Sequence, residues 1–284
     1  MARPAPRKQH SESPEPVCAE PRNATHPAER FPSEIARPAS HVFSSIPPLT
    51  SSETVPLQHI RIPVVGIVGG VGAGKSTVVR NVAGLQLFVI DADRIGHELL
   101  QTNLIRNRLR VAFGDEIINE AGKVERKRLA EKVFGDSDEQ TQNLSRLNEI
   151  LHPAIRTEIQ YSINQAPQDA DAIILDAALL LETGWGEGCD AVVFIDTPLE
   201  KRQQRVAVNR GWSIEELQRR EASQWSLLRK REAAEFIIDN SNSLETAVQQ
   251  MTEIIKQIKH RTRTGTNPQQ DHATLWEPKP EASA

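Results

Sequence analysis

A glycine-rich loop directly after a short apolar run constrains this chain more than any other feature. The sequence GGVGAGKST occupies residues 69–77 and follows the Val- and Ile-rich run at 64–68. Residues 69–76 fit the pattern G-x-x-x-x-G-K-S/T at every fixed position, and Val78, Val79 and Val82 begin a helical pattern behind it. Strand, loop and helix thus stand in the order that a phosphate-binding loop requires, rather than that of a chance glycine-rich turn.

The residue types of this loop suit the phosphates of a nucleoside triphosphate. Glycine tolerates positive φ and adds no side chain, so successive backbone N–H groups can face phosphate oxygens at the start of a helix. Lys75 is suited to neutralise the β- and γ-phosphates, and the Ser76 hydroxyl is suited to ligate Mg²⁺. GTPases, motors and small-molecule kinases share such loops. A GTPase would also need an Asn-Lys-x-Asp guanine reader, which this sequence lacks.

Short apolar runs predict the rest of the core. They lack the polar alternation of half-exposed strands, so they predict a parallel sheet of about five strands covered on both faces. The runs occupy 64–68, 87–90, 172–175, 191–195 and 236–238. A stripe at helical spacing behind the N-cap Ser243 predicts a helix packed on this sheet, formed by Leu244, Val248, Met251, Ile255 and Ile258. The predicted fold is a three-layer α/β fold of the P-loop NTPase type.

Two helical stretches interrupt the alternation of strands and helices. Residues 94–168 are too many for one crossover connection, and residues 199–233 are dense in arginine. Both are predicted to be insertions at one edge of a core domain, 61–260, whose core pieces are 61–93, 169–198 and 234–260.

The two segments that flank this domain differ from it in composition and periodicity. Residues 1–60 hold eleven of the eighteen prolines and show no helical or strand period, which predicts a disordered extension. Residues 261–284 read as a second disordered tail, with Trp276 as its one candidate anchor.

Acidic residues end three of the apolar runs, at Asp91, Asp176 and Asp196. Ligands of parallel sheets bind beyond the carboxyl ends of the strands, so all three are candidates to face the phosphates. The first run continues as Asp91-Ala92-Asp93, and an extended segment would point both carboxylates to one side. Such a carboxylate suits acceptance of a hydroxyl proton or a contact to Mg²⁺. The alternative for Asp93 is an N-cap of a helix beginning near Arg94.

Basic residues crowd the second insertion, which we call the lid segment (residues 199–233). Ser213 and Glu216 form a capping box that predicts a helix beginning near Ile214. Arginines on a mobile flap can close over a phosphoryl group in transfer, whereas the alternative is a solvated helix face paired with glutamates. The basic residues are Arg202, Arg205, Arg210, Arg219, Arg220, Arg229, Lys230 and Arg231.

The triplet Leu151-His152-Pro153 interrupts a helical pattern. Proline disfavours helix at the residue before it and suits the first turn of a new helix, so a break is predicted here. The break would aim His152 at a ligand, or His152 is a buried structural histidine at a bend.

Composition limits the partners and the compartment. A net charge of -4 gives no reason to expect nucleic acid as a partner, and no apolar run reaches the roughly 18 residues that span a membrane. Cys18 and Cys189 suggest neither a disulfide framework nor a metal site. The first twenty residues lack the apolar segment of a signal peptide, and glutamates argue against a transit peptide. A cytoplasmic protein is therefore expected.

These motifs together resemble the dephospho-CoA kinase family, over roughly residues 62–260. The loop is generic, but the combination of Asp-Ala-Asp, Leu-His-Pro and Ile-Asp-Asn-Ser is specific. The matching stretches are VVGIVGGVGAGKSTV (64–78), FVIDAD (88–93), AFGDEIINEAGKVERKRLAEKVF (112–134), LNEILHP (147–153), LLLETGW (179–185), VVFIDTPLEKRQQRV (192–206) and RREASQWSLLRKREAAEFIIDNSNS (219–243).

The resemblance implies a P-loop kinase with a helical acceptor-binding insertion and an arginine-rich lid. It implies transfer of the ATP γ-phosphoryl group to the ribose 3′-hydroxyl of dephospho-CoA, with Mg²⁺ as cofactor. By motif, ATP contacts fall on Gly72, Ala73, Gly74, Lys75, Ser76 and Thr77, with Ser76 toward the metal. The catalytic candidates are Asp93, with Asp91 beside it, Lys75, and the lid residues Arg205 and Arg210; His152 and Asp93 are the acceptor-side candidates.

Two departures from the family pattern stand out. Ala178 occupies a position after the third strand where relatives commonly have proline, which weakens expectations about the acceptor pocket wall. Asn209 stands where a basic residue is common before the lid glycine, so Arg210 is the candidate substitute. Without the resemblance, a kinase for another metabolite and a nucleotide-dependent switch without turnover also fit the loop.

Overall fold

The computed structural model describes residues 61–135 and 137–264. The predicted disordered extension, 1–60, lies outside the described residues, as does the tail from 265 onward with Trp276.

The described chain forms one parallel sheet of five strands, in the order β2-β3-β1-β4-β5. Each strand was predicted from an apolar run, and the fold class is confirmed. The strands are β1 (Val64–Gly69), β2 (Leu87–Asp91), β3 (Ala172–Asp176), β4 (Ala191–Asp196) and β5 (Phe236–Asp239).

Helices connect and cover these strands. They are α1 (Lys75–Arg80), α2 (Ala92–Leu99), α3 (Asn103–Phe113), α4 (Arg126–Val133), α5 (Asp138–Asn164), α6 (Leu199–Arg210), α7 (Ile214–Ala222), α8 (Leu227–Ala233) and α9 (Leu244–Arg263). The predicted insertion at 94–168 contains α3, α4, α5 and most of α2. The lid segment contains α6, α7 and α8.

Both faces of the sheet are buried, because alternate residues of each strand enter opposite cores. On β1, Val65 and Ile67 pack with α1 and with Met251 and Ile255 of α9. The other face packs against α2 and α5. A third apolar cluster lies among α3, α4 and the first half of α5. The result is three layers, with the helical insertion carrying its own small core.

The predicted break at Pro153 is wrong, because α5 runs without interruption from Asp138 to Asn164 with the proline inside it. A proline in a helix interior removes one hydrogen bond and costs about 3 kcal/mol. Tertiary packing outweighs this cost, since Leu147 anchors the first half of α5 in the cluster of the insertion and Ile159 anchors the second half against the sheet.

Two further findings concern where the last helix ends and whether any described helix could cross a membrane. The last helix continues to Arg263, so the predicted domain end at 260 falls inside it. Across 61–135 and 137–264, none of the helices is both long and apolar enough to span a bilayer.

Candidate active site

The glycine-rich loop joins the end of β1 to the start of α1. Gly72 and Gly74 adopt φ values of 77° and 86°, which residues with a side chain rarely adopt. Gly74 is the N-cap of α1, and among the described residues no side chain caps that end. The first backbone N–H groups of α1 therefore remain available, and they lie at the positive end of the helix dipole.

Two side chains that directly follow strands and one from α6 hold the loop through a single carbonyl. The carbonyl oxygen of Ala73 accepts hydrogen bonds from Thr197 Oγ1 at 2.9 Å, Arg205 Nη1 at 3.0 Å and Asn240 Nδ2 at 2.9 Å. In a planar trans peptide the next N–H, that of Gly74, points the opposite way. The three donors thus orient an amide that belongs to the predicted phosphate contacts.

Thr197 and Asn240 were missed in the sequence analysis, although a signal for both was available. Each directly follows an aspartate that ends a strand, at Asp196 and Asp239. The rule that ligands bind beyond the carboxyl ends of parallel strands applies to these positions as well as to the carboxylates.

Lys75 lies at the centre of the charged groups near the loop. Its Nζ lies 3.5 Å from the carbonyl oxygen of Gly69. Burial lowers the pKa of Lys75, and the positive charges of Lys230 and Arg210 act in the same direction, whereas Asp176 and Asp93 oppose them. The fold therefore brings the predicted residues Lys75, Asp93 and Arg210 into one electrostatic neighbourhood.

Ser76 and Asp176 form a polar pair beside this lysine. The Ser76 hydroxyl donates a hydrogen bond of 2.9 Å to Asp176 Oδ2. Asp176 ends β3 and is paired in register with Asp91 of β2 and with Ile67 of β1. In the sequence Asp176 is one of three strand-end carboxylates, and in the structure it is the one that bonds to Ser76 of the loop.

The two carboxylates of Asp91-Ala92-Asp93 differ in what they contact. Asp91 is the N-cap of α2 and accepts a hydrogen bond from the Arg94 N–H at 2.9 Å, so the predicted alternative of Asp93 as the cap is wrong. The predicted extended segment is also wrong, because α2 begins at Ala92 and Asp93 lies in its first turn. Asp91 caps the first turn of the helix, which is why α2 starts two residues earlier than expected.

Asp93 is the perturbed carboxyl of the pair. Partial withdrawal from solvent raises its pKa, and the charge of Asp91 adds to this effect. The backbone N–H of Ala178 lowers the pKa, Asp176 raises it, and Lys75 lowers it. A carboxylate with a raised pKa close to a loop lysine has the electrostatic character of an acid–base group.

The two lid arginines of the prediction reach the site in different ways. Arg205 contacts the loop directly through the Ala73 carbonyl. Arg210 is exposed on the last turn of α6, and its guanidinium lies 4.7 Å from the ring centre of Trp212. Arg220 stacks on the same ring at 4.1 Å. Attraction of each guanidinium to the Trp212 ring offsets part of the repulsion between the two cations.

His152 lies within the continuous α5 instead of at a break. Its ring meets Trp185 edge to face, with centroids 6.0 Å apart and planes at 71°. Burial lowers the pKa of His152, and the charge of Arg156 adds to this. The imidazole is therefore neutral at pH 7, and its role in acceptor binding stays a prediction.

A buried lysine links the lid segment to the residues after β3. Lys230 is 1 % exposed, and its Nζ donates to Ala178 O at 3.1 Å and to Gln224 Oε1 at 2.8 Å, and pairs with Glu182 Oε1 at 3.0 Å. Nothing in the local sequence indicates this burial, since Lys230 stands within the run Arg229-Lys230-Arg231.

Comparison with known proteins shows which family the chain resembles. The family described as CoaE: Dephospho-CoA kinase matches residues 63–246. A dephospho-CoA kinase of Rhodopirellula baltica is 38% identical over 64% of this chain and 85% of its own length. One of Thermobifida fusca is 34% identical over 69% of this chain and 96% of its own length. The crystal structure of TT1252 from Thermus thermophilus superimposes with a TM-score of 0.58 at 27% identity, over 69% of this chain and 98% of that one.

Proposed function

This chain belongs to the dephospho-CoA kinase family, and on that premise we propose that it transfers the γ-phosphoryl group of ATP to the ribose 3′-hydroxyl of dephospho-CoA, giving CoA and ADP. The resemblance found in the sequence is thereby confirmed at the level of the family. The roles of individual residues are proposals that the site geometry supports.

The loop binds the triphosphate of ATP. The backbone N–H groups of residues 72–77 that do not donate within the loop face the phosphates, whereas those of Ala73 and Thr77 donate to the carbonyls of Gly70 and Gly74. The fixed Ala73 carbonyl supports this by orienting the next amide. Lys75 neutralises the phosphate charge. Its lowered pKa does not contradict this role, because bound phosphates would favour the charged ammonium strongly.

Asp93 accepts the proton of the acceptor hydroxyl. The ribose 3′-oxygen attacks the γ-phosphorus, the bond from that phosphorus to the bridging oxygen of ADP breaks, and the hydroxyl proton passes to the Asp93 carboxylate. The observation that carries this assignment is the position of Asp93 within the electrostatic field of Lys75, while Asp91 is committed to capping α2.

The donor set beside Lys75 fits Mg²⁺, which prefers oxygen ligands and keeps several waters. Ser76 Oγ and the Asp176 carboxylate are neighbouring oxygen donors that would hold it together with phosphate oxygens. In the part of the chain described, no group of three or more His, Cys, Asp or Glu is placed to hold a metal by itself, which fits a cation that arrives with its nucleotide. When bound, Mg²⁺ neutralises charge on the phosphates.

Arg205 and Arg210 offset the charge that spreads over the transferring group. The contact of Arg205 with the loop and the influence of Arg210 on Lys75 support both roles. His152 is proposed to line the acceptor side of the cleft, as a neutral imidazole.

A coupled assay of ADP release across dephospho-CoA, nucleoside monophosphates and shikimate tests the proposal. Of these acceptors, we expect only dephospho-CoA to support ADP release. Turnover on a nucleoside monophosphate without turnover on dephospho-CoA would assign the chain to another kinase activity. ATP binding without acceptor-dependent ADP release would indicate a nucleotide switch.

A further inference from the structure

The lid segment forms hydrogen bonds with the glycine-rich loop at a second residue, Val71. The Val71 N–H donates a hydrogen bond of 3.0 Å to Glu221 Oε1 on α7. The Val71 carbonyl accepts one of 3.4 Å from Arg202 Nη1 on α6. Two consecutive peptide groups of the loop are therefore held from the lid segment.

Arg202 and Glu221 are themselves an ion pair, and the pair is largely withdrawn from solvent. The side chain of Arg202 is 5% exposed and that of Glu221 is 22% exposed. The Arg202 Nε donates to the Thr197 carbonyl at 3.1 Å, which ties the guanidinium to the end of β4. Both partners thus have fixed positions relative to the loop.

The loop is shaped to accept this pair. A Cβ atom at Gly70 would lie 2.9 Å from Arg202 Nη1 and 3.0 Å from Glu221 Oε1. A Cβ atom at Gly72 would lie 2.9 Å from the Arg202 carbonyl oxygen. The glycines at these positions therefore allow α6 and α7 to approach the backbone, in addition to giving the loop its turns.

Holding the Val71 carbonyl has a consequence for nucleotide binding. In a planar trans peptide, the Gly72 N–H points away from the Val71 carbonyl, so the direction of one fixes the direction of the other. Gly72 carries the first of the amides assigned to phosphate contact. Arg202 orients that amide from behind, as the three donors on Ala73 orient the amide of Gly74.

We propose that Arg202 and Glu221 are a pair of positioning residues that pre-forms the loop for nucleotide and ties α7 of the lid segment to it. The inference rests on the proposed function only in that the loop binds a nucleotide. ADP binding measures the effect directly, so the result does not depend on which acceptor the enzyme uses.

The sign of one mutational effect separates this proposal from simple electrostatics. A carboxylate beside a phosphate site repels the ligand, so removing Glu221 would tighten ADP binding if its charge were the main effect. If the restraint on the loop is the main effect, removal weakens binding. Arg202 compensates the charge of Glu221 at contact distance, and we therefore expect the restraint to dominate.

The experiment measures ADP affinity by titration calorimetry, with KM for ATP and kcat on the full chain. Glu221→Ala should weaken ADP binding on the order of tenfold, the size of one lost hydrogen bond to a charged group. KM for ATP should rise likewise, with kcat at saturating ATP within about threefold of wild type. Glu221→Gln keeps an acceptor oxygen for the Val71 N–H and should stay within about threefold in affinity.

Two further variants complete the test. Arg202→Met should weaken ADP binding more than tenfold, and adding Glu221→Ala should cost less than the sum of the two single effects. Glu216→Gln is the matched control: it lies on the same helix and pairs with Arg219 and Arg220 instead of the loop, so ADP affinity should not change.

Three results would overturn the proposal. The first is ADP binding that is unchanged or tighter in Glu221→Ala, and the second is that the effects of Arg202→Met and Glu221→Ala on ADP affinity add. The third is that Glu221→Gln binds ADP as weakly as Glu221→Ala. A lower melting temperature with wild-type ADP affinity would show that the pair only stabilises the fold, and would overturn it equally. If the wild-type protein binds ADP but does not turn over dephospho-CoA, the proposed function is refuted and the proposal about Arg202 and Glu221 still stands.

Discussion

The Asp91 carboxylate accepts a hydrogen bond from the Arg94 N–H at 2.9 Å, and this contact separates the roles of two neighbouring acids. A side chain that caps a helix is held in one orientation by the backbone it serves. Asp93, one residue into α2, has no such duty and lies among the charges around Lys75. We therefore propose that Asp91 is a structural carboxylate and that Asp93 beside it is the reactive one.

Asp93→Asn should lower kcat by about 10²–10⁴-fold, the usual range for a positioned general base. The amide keeps the shape of the side chain but does not accept the proton. ATP affinity should stay close to wild type, because Asp93 acts mainly in the chemical step. Single-turnover rates and ATP titration on the same protein measure the two effects separately.

Two comparisons sharpen this prediction. Lys75→Ala should lose ATP affinity and turnover together, because its charge meets both the bound phosphates and the transition state. Near-normal turnover in Asp93→Asn would move the base role to Asp91. Loss of ATP binding in Asp93→Asn would indicate a contact to Mg²⁺ instead.

The pH dependence of kcat should report the raised pKa of Asp93. The carboxylate must be ionised to accept a proton, so activity is lost as pH falls through a pKa above the ordinary value of about 3.9. Asp91→Asn removes a charge that raises this pKa, while asparagine still caps α2. The acid limb should therefore move to lower pH in that variant. An unmoved or raised limb would contradict the assignment; activity recovered after return to neutral pH controls for acid unfolding.

The raised pKa of Asp93 also predicts how the stability of the fold changes with pH. A carboxyl whose folded-state pKa is raised binds its proton more tightly when folded, so folding is favoured below the unfolded pKa and weakened as pH rises through the folded pKa. At neutral pH the ionised Asp93 therefore works against folding. Asp93→Asn should leave the melting temperature at pH 7 equal or higher, and a clear drop would indicate a structural role.

Sequence patterns sufficed where structure follows from neighbours along the chain. The five strands came from apolar runs, the loop from its glycines and lysine, and the caps of α7 and α9 from Ser213 and Ser243. The continuity of α5 across Pro153 was beyond such patterns, because packing at both ends of that helix decides it.

The parts of the site that were missed depend on contacts between distant segments. The Ala73 carbonyl gathers donors from residues 197, 205 and 240, which lie far from it in sequence. The burial of Lys230 depends on Glu182 and on the Ala178 carbonyl, which lie far from it in the sequence. Local periodicity contains no information about such pairs, so only the fold could reveal them.

Gly72→Ala should weaken ADP binding and lower stability beyond the cost of its backbone conformation alone. Its φ of 77° disfavours any side chain, and a Cβ would lie 2.8 Å from Val206 Cγ1 and 2.9 Å from the Arg202 carbonyl. Gly84→Ala is the matched control, with φ of 75° and open space around the new methyl group. Calorimetry with ADP and thermal unfolding of both variants separate backbone strain from collision. Equal behaviour of the two variants would show that the collision is relieved without cost.

Lys230→Met should be among the most destabilising single changes in the lid segment. The lysine is 1% exposed and donates to the Ala178 carbonyl and the Gln224 amide oxygen, beside the paired carboxylate of Glu182. Removing one partner of a buried ion pair leaves the other charge uncompensated, which costs about 3–5 kcal/mol. Urea unfolding measures this loss through the midpoint and the slope of the transition.

A second substitution and a matched control test the physical cause of that loss. Adding Glu182→Gln to Lys230→Met removes the stranded charge but keeps an acceptor oxygen for the Trp225 N–H, which Glu182 holds at 2.7 Å, so part of the stability should return. Lys256→Met breaks an exposed pair with Glu253, whose side chain is 64% exposed, and should cost less than about 1 kcal/mol. If Lys230→Met cost as little as Lys256→Met, or if Glu182→Gln lowered stability further instead of restoring it, the buried charge would not be the cause.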